Sequence, residues 1–524
     1  KDSQIVDNKL VALAADAIGG GLYSIKGKII LSNSTIARNQ VIGGHNPTHA
    51  LQGGGIFSQQ DTILLIHTTI ANNSIESNAP RATTIGGGIL TYKSSINIQD
   101  SHILSNTLVS KDVAGGGGLA SQGGTLTLQN SSIAQNSITA NTSVGGGIDS
   151  AENTTIMLKD SQVVDNKLNA LTTIGFGGGI YSNNNKVTLN NSTIARNSIT
   201  GGQNTGLGGG GLYNQKDTIA LTDSTVTNNT IESNAQKVET IGGGIASIDS
   251  QTSINKSTIS NNNLTGDSSA KGGGIYSDTT LAITNSVVSS NSVHASATDN
   301  RTLGGGIWTR GTLTLDKTTL SLNIANSNKG LAGGGGLFAQ GTTASSKTDL
   351  VLHLTNCTIA NNKAQSPDSG GGGVSIIALK SNIDFCTIYG NSATAGGGII
   401  TDDSLQPPAI TLQNSIVAGN SATSGPDISG PLTTNGYNLI QQSAGATLND
   451  PQHKHNTDIS GDHLPTLGIA TSTSGGPTPT LALQAGSPAI NVIPASSCDL
   501  ATDQRGVKRP QQGTCDIGAY EYSN

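Results

Sequence analysis

Aromatic residues are scarce in this 524-residue chain, at 3%, and tryptophan and methionine occur once each. Charged residues reach only 11% and apolar residues 34%, below the ~25% and ~45–50% of ordinary globular domains. A single large core is therefore excluded, and the chain has many small cores or a thin one. No run of 18 apolar residues occurs, so no helix of the sequence spans a membrane. The 27 basic and 33 acidic residues are scattered singly, without the basic stripe that neutralises phosphates, so a nucleic-acid partner is not expected. Nor does any motif imply a cofactor.

Glycine, by contrast, occurs 70 times, and much of it falls in runs such as "IGGGLYS" at Ile18 and "FGGGIYS" at Phe176. Thirteen such runs precede an apolar residue: Leu22, Ile56, Ile89, Leu119, Ile148, Ile180, Leu212, Ile245, Ile275, Ile307, Leu337, Val374 and Ile399. A second anchor, S-T-I-A-x-N, ends in Asn8, Asn39, Asn73, Asn106, Asn136, Asn166, Asn197, Asn229, Asn262 and five later asparagines. Asn8 to Asn420 is 412 residues in thirteen steps, a period of about 32 that lies in the solenoid range. Each unit reads as strand "GIYS", strand "LTLxN", strand "STIA", then a variable return segment without a helix. Parallel stacking of each strand on its own copies follows, because no hairpin turns punctuate the repeat.

The expected fold is thus all-β: a right-handed parallel β-helix of about thirteen coils with three short strands each, over residues 1–424. Residues 425–524, richer in proline, are expected to form a small β-rich cap. The asparagine column, from Asn39 and Asn73 to Asn262, is expected to form an internal amide ladder. It is also expected to occupy left-handed corners, which Asn tolerates. The glycine runs open strands rather than helices, so they are architecture and not phosphate loops. They allow sharp turns or close backbone approach at one corner of every coil.

A block of five coils is duplicated: "KDSQIVDNKL" at Lys1 returns as "KDSQVVDNKL" at Lys159. Lys1 therefore sits mid-coil. Either a longer precursor supplies earlier coils, or the open edge stacks on another copy and the chain assembles into fibres.

The string "CDLATDQRGVKRPQQGTCDIGAYEY" at the end resembles the C-terminal motif of bacterial surface proteins carrying a choice-of-anchor Q domain. Asp503, Arg505, Gly506, Arg509, Pro510, Cys515, Asp516, Ile517, Gly518, Ala519, Tyr520 and Glu521 match it. The resemblance covers roughly the last hundred residues. The coils upstream resemble, by repeat style, the pectate-lyase-like β-helices that precede this domain. What the resemblance implies is a secreted or cell-surface protein.

The four cysteines fall in two pairs. Cys498 and Cys515 bracket a short loop and are expected to form a disulfide worth ~3 kcal/mol in the chain-entropy model. Cys357 and Cys386 hold the same place in successive coils. They form either a second disulfide or a stacked pair of buried thiols.

Seven of the fourteen aromatic residues share one column, directly after the apolar residue of the glycine run: Tyr23, Phe57, Tyr181, Tyr213, Tyr276, Trp308 and Phe338. Alternation points this column outward. Tyr181, Tyr213, Tyr276, Trp308 and Phe338 then form either a stacking ladder roofed by the variable loops or a sugar-stacking platform.

Carboxylates do not gather. Asp100, Asp160 and Asp223 recur at one turn position, Asp402 and Asp403 share a loop, and Arg38 and Arg196 stand five coils apart. His453, His455 and His463 lack the partners of a metal site and read as solvated loop residues. The resulting expectation is a non-enzymatic extracellular structural or adhesive protein whose partner is a polysaccharide or itself. The alternative is a polysaccharide-binding or polysaccharide-cleaving protein using the aromatic column.

Overall fold

A computed structural model describes residues 1–12, 16–44, 50–202, 206–233, 238–297, 300–341, 351–377, 379–402, 410–451, 457–461 and 475–523. The fold is all-β, a parallel β-solenoid of about 12 turns. By contacts it falls into two compact units, Lys1–Gln251 with Asn262–Ser268, and Thr252–Asn261 with Ser269–Asn524.

One turn of unit one shows how the repeat folds. Ile180–Asn183 and Lys186–Asn190 both belong to a first sheet, here called sheet A; Thr193–Ala195 belongs to sheet B; Ser198–Gly201 and Gly206–Gly208 belong to sheet C. The return segment, expected to be variable loop, thus contributes strands of its own, while the first two expected strands share a sheet. Pairing between coils is parallel and in register, for example Ile180↔Leu212 and Ile194↔Val226, apart from one shift between Ala140 and Thr142. Inward Ile, Leu and Val at 0–1% exposure stack into continuous columns, which is why so few apolar residues suffice.

Corners are made by left-handed residues. The glycine three places before the apolar residue of each run has positive φ, as at Gly177 (φ 70°) before Ile180 and Gly116 (φ 68°) before Leu119. The middle and last glycines serve close packing: a Cβ at Gly178 would run into the carbonyl oxygen of Gly210, and one at Gly179 would lie 2.6 Å from that of Gly211. The ladder asparagines themselves are not left-handed, contrary to expectation. The residue before each takes that conformation, as Arg38 (φ 56°) precedes Asn39 and Arg196 (φ 54°) precedes Asn197. The turn thereby frees the asparagine side chain to point inward.

There the amides form a continuous ladder. Asn136 Nδ2 donates to Asn166 Oδ1 at 2.9 Å and to the Ile103 carbonyl at 3.1 Å, while its own Oδ1 accepts from both the backbone N–H and the Nδ2 of Asn106. The same bonds run through unit one from Asn8 to Asn262. In unit two they run from Asn291 to Asn420, where the last amide donates to the Asp427 carboxylate at 2.9 Å.

A second ladder sits five residues before the ladder asparagine, at Ser131 and Ser161. Ser131 N–H donates to Ser161 Oγ, and each hydroxyl donates to the carbonyl two residues earlier. Cys357 and Cys386 occupy this serine column and are free, buried thiols whose sulfurs take the same carbonyls, Thr355 and Asp384. Of the two alternatives for this pair, the thiols are the one observed. Cys498 and Cys515 are joined in a disulfide with Cα atoms 6.1 Å apart.

In unit two, parallel pairing continues past the boundary expected at residue 424, as Leu439–Ile440 with Ile459–Ser460. The segment from Gly475 onward then lies along the outer face of sheet B. Its Leu483, Ala489, Ile493, Cys515 and Ile517 pack with Phe385, Ile416, Ala418 and Leu439 of the solenoid. Gln504 spans two coils: its Nε2 donates to Thr319 Oγ1 at 2.9 Å and its Oε1 accepts from Thr358 Oγ1 at 2.6 Å. Its own strand pairing, Ile493–Pro494 with Thr514–Cys515, is a single antiparallel ladder.

Candidate functional site

The outward column of sheet A is the feature best suited to meet a ligand. In unit one it runs in register through Tyr23, Phe57, Leu90, Ala120, Asp149, Tyr181, Tyr213 and Ala246. In unit two Tyr276, Trp308, Phe338, Ser375 and Ile400 continue a like pattern.

Most of these rings are not open. Tyr213 is 6% exposed, Tyr276 7%, Trp308 2% and Phe338 4%. The cover is the residue that precedes the glycine run of the coil before. Phe176 stacks on Tyr213 with centroids 4.2 Å apart, and Lys271 Nζ sits 5.0 Å above the Trp308 ring. Ile18 and Ile85 pack likewise on the cluster of Phe57, Leu90 and Ala120. Tyr276 and Trp308 stack at 4.4 Å, within the favourable range for aromatic pairs. A flat platform of consecutive rings, one of the two expectations for this column, is closed by these side chains. The roofing residues carry no periodic sequence signal beyond their place ahead of each glycine run.

Unit one keeps an opening. Tyr23 is 54% exposed and stacks on Phe57 at 5.3 Å. Further along, Asp149 stands in register between Ala120 and Tyr181. The residue roofing it is Gly115, and a Cβ there would collide with Asp149 Oδ2. Burial raises the Asp149 carboxyl to about 7, since no hydrogen bond from the described residues offsets the lost hydration. Burial also raises the Tyr92 and Tyr181 phenols, and the Asp149 charge adds to the shift in both.

The remaining candidates have structural partners. Asp100 and Asp160 are left-handed corner residues (φ 48° and 51°) that accept from the Asn130 and Asn191 amides, and Asp223 is a third such corner. Arg38 makes a bidentate pair with Asp7 at 2.7 Å, and Arg196 repeats it with Asp165 at 2.8 Å. These exposed pairs contribute little energy. His453, His455, His463 and Asp403 lie outside the described residues. Among the described residues no three His, Cys, Asp or Glu side chains converge as a metal site, and no helix is long and apolar enough to cross a membrane.

The C-terminal motif is spent on the fold. Asp503 accepts from the backbone N–H of Arg505, Val507 and Glu521 at 2.8–3.0 Å. Arg509, fully buried, lies 4.2 Å over the Phe385 ring with Glu521 at 3.4 Å. Burial raises Glu521 to about 7 and Asp384 to about 6. The N–H groups of Gly518 and Ala519 donate to Asn414 O and Thr387 Oγ1 of the solenoid. A groove of about 600 Å³ also opens among the return segments of unit one, lined by Ser77, Arg81, Val109, Lys111, Asp112 and Leu171. Its basic pair is offset by Asp112 and by Glu76 beside Val109, so it selects no ligand charge.

No family model matches this chain. Nor does any curated protein match it.

Proposed function

We propose that this chain is a non-enzymatic structural or adhesive solenoid of the cell exterior, acting through its repetitive surface on polysaccharide or on further copies of itself. The observation that carries the proposal is the roofing of the aromatic column. Rings that would otherwise offer sugar-stacking area, Trp308 above all, are buried by the preceding coil and contribute stability instead. Two features support an extracellular setting. The Cys498–Cys515 disulfide suits an oxidising compartment. The C-terminal motif resembles that of choice-of-anchor Q surface domains, and its internal bonding network accounts for why those residue types occur together.

The test is Trp308→Ala. Large-to-small changes of this kind typically cost ~3–5 kcal/mol, so thermal stability is expected to fall while glycan-array binding of the folded fraction is unchanged. Loss of glycan binding at unaltered stability would overturn the proposal in favour of a polysaccharide-binding platform. Release of unsaturated products from an acidic polysaccharide would instead establish a lyase. A second reading, a glycan site at the partly open Tyr181, is favoured by the carboxyl of Asp149 beside it.

A further inference from the structure

We propose that the Cys498–Cys515 disulfide is a redox latch: its reduction frees residues 475–523, here called the strap, from sheet B and uncovers the solenoid face beneath. The inference goes beyond the solenoid's role as a surface element and does not depend on it.

The bond sits where it governs docking. Between the two cysteines lie Thr502, Gln504 and Arg509, which all touch the solenoid. Lys317 Nζ donates to Thr502 Oγ1 at 2.9 Å, and Asn356 Nδ2 donates to the Thr502 carbonyl at 3.1 Å. Gln504 spans Thr319 and Thr358, and Arg509 covers the Phe385 ring. Besides the disulfide, a short antiparallel ladder closes this loop, pairing Ile493 with Cys515 and Pro494 with Thr514.

The solenoid is held differently. Beneath the strap its coils are joined by parallel ladders and by the inner amides of Asn323, Asn362 and Asn391, none of which involves the strap. The strap meets the coils through side chains and through the N–H groups of Gly518 and Ala519, contacts that no repeat reinforces. A brace on this loop therefore acts on docking and not on the coils. Cutting it returns conformational freedom to the undocked loop, whose ends are 17 residues apart in sequence. Closing a loop of this size shifts an opening equilibrium by ~100-fold in the chain-entropy model.

The chemistry is confined to this bond. The thiolate of a dithiol attacks the sulfur of Cys498, which is half-buried beside exposed Ser496 and Asp499, and expels the Cys515 thiolate, which takes a proton from water. The second thiol of the reagent then closes on the mixed disulfide and releases Cys498. The dithiol leaves as its cyclic disulfide, and the protein gains two electrons and two protons. Cys357 and Cys386 are already free thiols and are unchanged. Undocking exposes Thr319, Thr358 and Thr387, at 0–1% exposure when covered, together with Phe385. The corresponding threonines of unit one, Thr193 and Thr225, are half-buried, so the strap is what closes this column in unit two.

The test is hydrogen exchange read by mass spectrometry on the full chain, oxidised and after treatment with dithiothreitol. In the reduced chain the amides of Gln504, Gly518 and Ala519 are expected to exchange ~100-fold faster, while those of Asn362 and Asn391 keep their protection. Reoxidation is expected to restore slow exchange in the strap. The double variant Cys498→Ser, Cys515→Ser is expected to show fast strap exchange without reductant and no further response to it. Intact mass, which rises by two hydrogens on reduction, verifies that the bond is cut. Unchanged strap exchange in the reduced chain, loss of protection at Asn362 and Asn391 together with the strap, or a bond that resists the dithiol while the chain stays folded overturns the proposal.

Discussion

The hydroxyl of Ser58 donates to Asp61 Oδ2 at 2.7 Å inside one corner of sheet A, closing the carboxylate's bonding. In the duplicated block, 156 residues on, the pair becomes Asn214 and Asp217 and the bond is gone. Among the described residues, both amide atoms of Asn214 and Oδ2 of Asp217 are buried without a hydrogen-bond partner. Asp217 Oδ1 still accepts from Asn185 N–H at 2.7 Å, but burial dominates and raises its carboxyl to about 6.

Asn214→Ser restores the Ser58 arrangement, and the neighbouring coils already hold Ser182 and Ser247 in this column. A regained buried hydrogen bond to a charged acceptor contributes about 1–3 kcal/mol. We expect a higher melting temperature and a lower Asp217 pKa by NMR titration. An unchanged melting temperature would show that buried solvent already satisfies the site.

Gly178→Ala places a methyl group against the Gly210 carbonyl and 3.1 Å from Ile199 Cγ1, both rigid parts of the next coil. Overpacking of this kind costs about 1–3 kcal/mol. Gly206→Ala is the matched control, because its Cβ meets only Val238 at 3.8 Å. The first variant is expected to unfold at lower denaturant concentration, and the second at the wild-type midpoint.

Stability should depend on pH in an unusual sense. Asp149 and Glu521 titrate at about 7 and Asp217 and Asp384 at about 6 in the folded chain, above their unfolded values near 4. Each raised carboxyl favours the folded state fully below its unfolded pKa, and that contribution is lost as pH rises through the folded pKa. Melting temperature is therefore expected to rise on acidification from about pH 8 to pH 5 and to level off near pH 4. A stability maximum above pH 7 would contradict these assignments.

The repeat announced the fold because each coil's residues recur at fixed spacing. Ile194 and Asn197 belong to columns visible by eye, and both are where a stacked solenoid puts them. The serine of S-T-I-A was equally visible, yet its role as a second ladder depends on backbone geometry, its hydroxyl reaching a carbonyl two residues back. The roof over the aromatics was hidden for a different reason. Phe176 covers Tyr213 of the next coil, and residues before the glycine runs vary from Gly115 to Lys271, so no period marks them. Least legible was the docking of Gln504 on Thr319 and Thr358, contacts that close 185 and 146 residues of chain and follow no repeat.

The amide ladder has a sense of direction. In its amide-to-amide bonds each asparagine donates to the asparagine of the coil that follows and accepts from that of the coil before, at Asn106, Asn136 and Asn166 alike. Any coil so built offers the same plug at one face and the same socket at the other. A block of coils copied within the gene joins its new neighbours without a mismatched amide at either seam. The five-coil duplication beginning at Lys1 and Lys159 is the kind of growth such interchangeable joints permit, and the Asp427 carboxylate, which accepts but cannot donate, ends the series in unit two.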